Sequence, residues 1–206
     1  MHAGVIVAGG RSTRFGDRDK AVAELAGQPM IRRVADRLAG VIETLIVNCR
    51  EDQLDAIRAA MAGYDHDVGY ALDPQPDLGP VAGIETGLRA AASQGADYAV
   101  VVACDMPFVE PALLAHLFER AAGHDAAIPQ LDDRWFQTTQ AVYRTTAMAD
   151  ACEAALERGD RKVLAPLEDL EYVVVDEAEV REYAAVDTFE NLNTRAEFEA
   201  AAERFS

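Results

Sequence analysis

Short, wholly apolar runs alternate along this chain with longer segments of helical periodicity, and the alternation itself predicts the architecture. Val5, Ile6 and Val7 read as a buried strand, as do Thr44 to Cys49, the weaker Val68 to Leu72 and the clean run Tyr98 to Ala103. Between them a helix is predicted from the turn Gly27-Gln28-Pro29 through Arg33 and Leu38, with Pro29 in its first position. Two more are predicted over Asp52 to Met61 and Val81 to Ser93. The stretch from Asp73 to Pro80 carries three prolines and a glycine and is excluded from regular structure. A further helix begins at about Pro111. Short strands follow at Ala126 to Pro129, Gln140 to Tyr143 and Tyr172 to Asp176, with a helix over Thr146 to Arg158 between the last two. A capped, glutamate-bearing helix covers Thr194 to Arg204. Strands alternating with helices predict an α/β protein: a single domain over residues 1–206, Rossmann-like and three-layered, with a mostly parallel sheet. Half of the 206 residues are apolar, enough for one such core.

Open α/β sheets bind ligands beyond the carboxyl ends of their strands, so the residues just after each apolar run are the candidates for chemistry. They are Gly9 and Gly10, Asn48, Asp73 and Asp105, all expected to face one crevice. The first loop is the most informative. Val7, Ala8, Gly9 and Gly10 let the backbone approach a ligand, and consecutive amides in such a turn form a concavity for anions. Arg11, Arg14, Arg18 and Lys20 follow, arginine suited to bidentate phosphate contacts and lysine to a compact point charge. Only Lys20 and Lys162 are lysines in the whole chain. Asp17 and Asp19 partly offset this charge, so a solvated turn is the plain alternative. Neither G-x-x-x-x-G-K-[ST] nor G-x-G-x-x-G occurs, which excludes the P-loop and the ordinary dinucleotide fingerprint.

Asp105, directly after the run VVVAC, is placed to hold Mg2+ through its oxygens. Its alternative is a helix N-cap, although the following helix starts well downstream. Asn48 offers donor and acceptor and Asp73 acceptors, a set suited to a guanine edge or a ribose hydroxyl; both serve equally as side chains that order loops. Gly79, in Gly79-Pro80-Val81-Ala82-Gly83, allows close approach before a helix N-terminus, a place for a phosphate or base, or else a packing turn.

The segments AGGRSTRFGDRDK, GPVAG and CDMP resemble the signature of the MobA-like nucleotidyltransferases, and within them the guanylyltransferases of molybdenum cofactor synthesis. The likeness runs through Gly159-Asp160-Arg161-Lys162-Val163 and Phe189-Glu190-Asn191-Leu192-Asn193-Thr194. It implies a nucleotide-diphospho-sugar transferase type of fold and transfer of GMP from GTP to molybdopterin, with pyrophosphate released. In that reading main-chain groups at Val7, Ala8 and Gly9 line the guanine site, and Asn48 and Asp73 bind the nucleoside. Lys20 and Arg14 meet phosphates, Asp105 ligates Mg2+, and Arg14, Lys20 and Asp105 are the catalytic set. The GDRK segment, Asn191 and Asn193 lie toward the pterin, and molybdoenzymes or other proteins of cofactor synthesis are the expected protein partners. The chain departs from the family at Trp135-Phe136-Gln137-Thr138-Thr139-Gln140, where a proline and often a histidine are usual.

Rival functions are cytidylyl transfer to molybdopterin, guanylyl transfer to cobinamide or lactyl phosphate, a non-catalytic carrier of the cofactor, and a sugar-1-phosphate nucleotidylyltransferase. The short C-terminal half leaves the last little room for a sugar subdomain.

Charge changes the picture of the surface. With 36 acidic and 19 basic residues the formal charge is −17, which disfavours nucleic acid and anionic membranes as partners. No apolar run reaches the length of a membrane span and the first strand begins at once, so a cytoplasmic location is expected. Cys49, Cys104 and Cys152 lack metal-ligand spacing and read as reduced packing residues. So acidic a chain, nearly free of lysine, points to a halophilic cytosol in which salt screens self-repulsion. Its thermal unfolding midpoint is expected to be higher in molar potassium chloride than in dilute buffer; equal midpoints would contradict this.

Overall fold

The structure, a computed structural model, describes residues 1–10, 19–74, 78–132 and 134–205. In chain order its strands and helices are β1 (His2–Val7), β2 (Glu24–Leu25), β3 (Gln28–Pro29), α1 (Met30–Leu38), β4 (Thr44–Cys49), α2 (Leu54–Ala60), β5 (Val68–Leu72), α3 (Pro80–Ser93) and β6 (Tyr98–Ala103). The second half adds α4 (Pro111–Ala121), β7 (Ala126–Gln130), β8 (Gln140–Arg144), α5 (Thr145–Glu157), β9 (Tyr172–Asp176), α6 (Glu177–Val180) and α7 (Arg195–Glu203). Seven strands form one sheet in the order β5-β4-β1-β6-β8-β7-β9. Within it only β8 runs against its neighbours, β6 and β7, while the other pairings are parallel.

The central strands are apolar throughout because both faces are covered. On one face Ile6, Val47 and Val102 meet Val34 and Leu38 of α1, Ile57 of α2 and Leu117 of α4. On the other, Val5, Ile46 and Val101 meet Ile84 and Leu88 of α3 and Met148 and Cys152 of α5. A third, smaller cluster joins Leu25 and Met30 to Phe108, Leu192 and Ala201, so the C-terminal helix is packed against the β2–β3 hairpin. Among the described residues no helix is long and apolar enough to cross a membrane.

Two local expectations are corrected. Pro29 is not the first helical residue: it ends β3 and sits at the N-cap of α1, which begins at Met30. The turn lies one step earlier, at Ala26 and Gly27, with φ of 48° and 78°. Positive φ at both central positions suits a two-residue hairpin, and it lets Gln28–Pro29 fold back on Glu24–Leu25. The helix predicted from Asp52 opens instead as a 3-10 turn over Glu51–Gln53, capped by the Arg50 backbone, before α2 begins. The loop from Asp73 is irregular where described; residues 75–77 lie outside the described set.

The order places β1 between β4 and β6, so successive crossovers leave β1 in opposite directions and open a crevice at its carboxyl end. Close packing of α3 on β1 depends on small residues: a Cβ on Gly87 would stand 2.5 Å from Val5 Cγ1. Gly87→Ala is expected to destabilise the fold by about 1–3 kcal/mol through overpacking, measurable by urea unfolding at equilibrium. A loss below a few tenths would show that α3 can shift to accommodate the methyl.

Candidate functional site

The carboxyl ends of four strands are tied to one another just past the sheet ladder. The Ala8 amide donates to the Asn48 carbonyl at 2.9 Å, the Cys104 amide to the Val7 carbonyl at 3.1 Å, and the Asp73 amide to the Cys49 carbonyl at 3.0 Å. Gly9, Asn48, Asp73 and Asp105 are thereby gathered along one rim, as the sequence pattern predicts.

On the β4–β5 side, Asn48 follows the apolar run as expected. It is the penultimate residue of β4, and it is 0% exposed. Its Nδ2 donates to the Ala71 carbonyl at 3.1 Å and to Asp73 Oδ1 at 2.7 Å, and since both partners are acceptors the orientation of the amide is fixed. Asn48 Oδ1 is buried without a partner among the described residues. Asn48 thus splints Asp73. The space for this pair is made by glycines: a Cβ on Gly9 would stand 2.5 Å from Asp73 Oδ2, and one on Gly83 2.5 Å from Asn48 Oδ1. Among the described residues a Cβ on Gly10 would meet nothing within 4 Å. Burial raises the Asp73 carboxyl above its usual range, with the Asn48 bond and the Arg50 charge opposing.

On the β1–β6 side, Lys20 is 6% exposed, and its Nζ donates to Asp105 Oδ2 at 2.7 Å and to Asn193 Oδ1 at 3.1 Å. Asp105 Oδ1 is buried and unpartnered among the described residues. The N-cap alternative for Asp105 is not what the structure shows. The helix that follows, α4, is capped from Glu110, and the Asp105 carboxylate faces Lys20. Asn193 was expected to lie toward the pterin, yet its oxygen is on the Lys20 ammonium; Asn191 bonds locally to the Phe189 carbonyl at 3.2 Å. The Leu192 amide donates to the Asp105 carbonyl at 3.0 Å, so the C-terminal segment is fastened to this loop by main chain as well as side chain. Among the described residues no group of three or more His, Cys, Asp or Glu side chains is arranged to hold a metal ion. Arg14, with Arg11 and Arg18, lies outside the described residues.

Two residues the sequence reading passed over stand between these halves. Arg50 donates from one nitrogen to the carbonyls of Gly9 at 2.7 Å and Gly10 at 2.9 Å. Gln53 is 3% exposed and donates from Nε2 to the Ala8 carbonyl at 3.0 Å and to Asp19 Oδ2, while its Oε1 accepts the Arg50 amide at 3.0 Å. Polar side chains in the first turn of a short helix look solvated in sequence. Only the pairing of β4 with β1 reveals that this turn lies against the glycine loop. Gly79, with φ of 87°, precedes Pro80 at the start of α3, and Arg161 Cβ lies 3.7 Å from where its Cβ would be. This contact seats the GDRK segment beside the helix N-terminus. In the connection before β8, Arg134 has φ of 66°, Trp135 is 66% exposed, and Phe136 packs edge-on against Tyr172.

Residues 4–173 match the MobA-like NTP transferase domain. The chain belongs to the MobA-like NTP transferase family. It is 47% identical over 203 residues to a protein of Natronomonas pharaonis named probable molybdenum cofactor guanylyltransferase, covering 98% of each chain. A protein of the same name from Haloferax mediterranei is 39% identical, over 98% of this chain and 93% of the relative. Among solved structures, molybdopterin-guanine dinucleotide biosynthesis protein A of Archaeoglobus fulgidus superposes with a TM-score of 0.80 at 30% identity, covering 98% of both chains.

In this MobA-like transferase the free thiols are structural. Cys49 and Cys152 are buried, and burial pushes Cys49 up to about 11 and Cys152 up to about 12, so both stay protonated. Asp73 is the titrating group with a consequence. A carboxyl raised in the folded state costs stability above its folded pKa and none below its unfolded one, about 4. Asp73→Asn should therefore gain stability relative to the native chain as pH rises from 4 to 8, read as the difference between the two thermal midpoints. A difference that stays flat would place the Asp73 carboxyl at its ordinary value, and one that falls would place it below that value.

Proposed function

We propose that this chain transfers GMP from GTP to molybdopterin, releasing pyrophosphate and forming the guanine dinucleotide cofactor. The observation that carries the reading is the buried Lys20–Asp105 pair at the switch point of the sheet. An ammonium has three N–H groups, and Asp105 and Asn193 engage two of them. Among the described residues no acceptor engages the third, which can take a phosphate oxygen. Burying such a pair is costly unless the remaining polar atoms find partners: a triphosphate entering here would supply an acceptor for the ammonium, and a cation accompanying it would supply positive charge for the unpartnered Asp105 Oδ1. The names of the relatives support the same substrates.

The residues divide the work. Main-chain groups of Val7, Ala8 and Gly9 line the base, with Gly10 next to them in the nucleotide loop, and Asp73, held by Asn48, meets the nucleoside. Lys20 and Arg14 neutralise the phosphates that become the leaving group. The N-terminus of α3 at Gly79, with the GDRK segment beside it, faces the acceptor phosphate. Asp105 fits Mg2+, because its unpartnered Oδ1 offers one hard oxygen and this ion commonly takes one or two carboxylates, completing its shell with water and phosphate. When bound, Mg2+ supplies charge neutralisation to the triphosphate. No general base is required: the terminal phosphate of the pterin carries close to two charges at neutral pH, its second pKa being about 6. Its oxygen attacks the α-phosphorus of GTP as the bond to pyrophosphate breaks, and the protein's task is alignment and neutralisation. Operation in the cytoplasm, with molybdoenzymes or cofactor-synthesis proteins as partners, belongs to the same reading.

Calorimetry with GTP, CTP, ATP and UTP in molar potassium chloride, followed by pyrophosphate release with molybdopterin, tests it. Selective binding of GTP, aided by Mg2+, and acceptor-dependent release are expected, and Lys20→Ala or Asp105→Ala should lower turnover by about 10²–10³ with the fold intact. Preference for CTP moves the chain to the cytidylyl rival, release only with cobinamide or lactyl phosphate to those acceptors, and no release with any acceptor to the carrier.

A further inference from the structure

The turn that leaves β4 touches the chain on both sides of the basic loop. At the entry, Arg50 holds the carbonyls of Gly9 and Gly10, and its own position is fixed by Asp52, whose Oδ1 lies 2.9 Å from Nε. At the exit, Gln53 bonds the Asp19 carboxylate, whose other oxygen accepts the Ala21 amide at 3.0 Å and so caps the 3-10 turn Lys20–Val22. The same Gln53 amide group also donates to the Ala8 carbonyl at the end of β1. Both donors and the acceptor of one buried side chain are thus spent on three separate segments, an arrangement with no slack.

We propose that Arg50 and Gln53 form a clasp that fixes the separation between the nucleoside half of the site and the phosphate half. This rests on the nucleotide reading above and adds positioning residues to it. Neither side chain needs to touch the nucleotide. Gln53 determines where Asp19 stands, Asp19 orients the turn that buries Lys20, and Lys20 meets Asp105. Arg50 determines the direction of the Gly9 and Gly10 peptides beside Asp73. If the clasp opens, each half persists by itself: Asn48 still holds Asp73, and Lys20 can still find Asp105. What is lost is their register. The affinity contributed by the phosphates therefore no longer adds to that contributed by the nucleoside.

A general weakening of the fold would lower all affinities together, so the informative readout is their ratio. Binding of guanosine, GDP and GTP is measured by calorimetry for the native chain, Gln53→Met and Arg50→Lys. Methionine keeps the length of glutamine without its hydrogen bonds, and lysine keeps the charge but cannot span two carbonyls and a carboxylate. Guanosine affinity is expected to stay within about twofold in Gln53→Met, with the GTP-to-guanosine ratio falling at least tenfold. Arg50→Lys should lower the ratio in the same direction by a few-fold, and it decides the matter should Gln53→Met fail to fold. A native ratio in any folded variant, or equal losses for guanosine and GTP, overturns the clasp. A native chain that binds GTP no better than guanosine fails the nucleotidyltransferase reading itself, before any variant is made.

Discussion

Lys20 carries its charge into the protein, and that burial sets the terms for the whole carboxyl edge of the sheet. A buried ammonium is tolerated only when paired and hydrogen-bonded. Its partners come from far along the chain, Asp105 after β6 and Asn193 just before α7. The fold meets this demand in two ways. Parallel pairing of β1 with β6 sets Val7 beside Ala103, so the loops after both strands emerge together. The small cluster around Phe108 and Leu192 then holds the C-terminal segment over the loop that carries Asp105.

The other half of the site obeys a different constraint, that of room. Asp73 and Asn48 approach the backbone so closely that a side chain on Gly9 or Gly83 would have to displace them. Glycine here is a matter of vacancy for a neighbouring carboxylate and amide more than of unusual dihedral angles. The result is a rigid acceptor group presented at the strand ends by a residue that is itself sealed from solvent. Asn48 acts through Asp73, and so a wholly buried amide can contribute to the proposed nucleoside site.

The sequence disclosed those features whose signal is local. Apolar runs gave every strand of the main sheet, four of the seven with the bounds they have in the structure and β1, β7 and β8 short by one to three residues at one end, and the rule that ligands gather at strand ends selected Gly9, Asn48, Asp73 and Asp105 without reference to any relative. The β2–β3 hairpin was hidden because its paired strands are two residues each and its turn begins with alanine, a residue that seldom adopts positive φ. The partnership of Lys20 with Asn193 was hidden by a separation of 173 positions. Gln53 was hidden by its type: a glutamine at a helix start is ordinarily solvated, and its burial follows only from where β4 lies in the sheet.

The attachment of Leu192 and Asn193 to the loop of Asp105 also bears on how the protein is made. During synthesis Lys20 and Asp105 can meet once β6 has been laid down, but Asn193 emerges on the order of ten seconds later at ordinary elongation rates. Until then the nascent chain has an ammonium and a carboxylate without the strap that encloses them. The Lys20–Asp105 half of the proposed site is therefore among the last parts of the molecule to acquire its final form, and a chain lacking its final segments is left without the Asn193 contact that completes it.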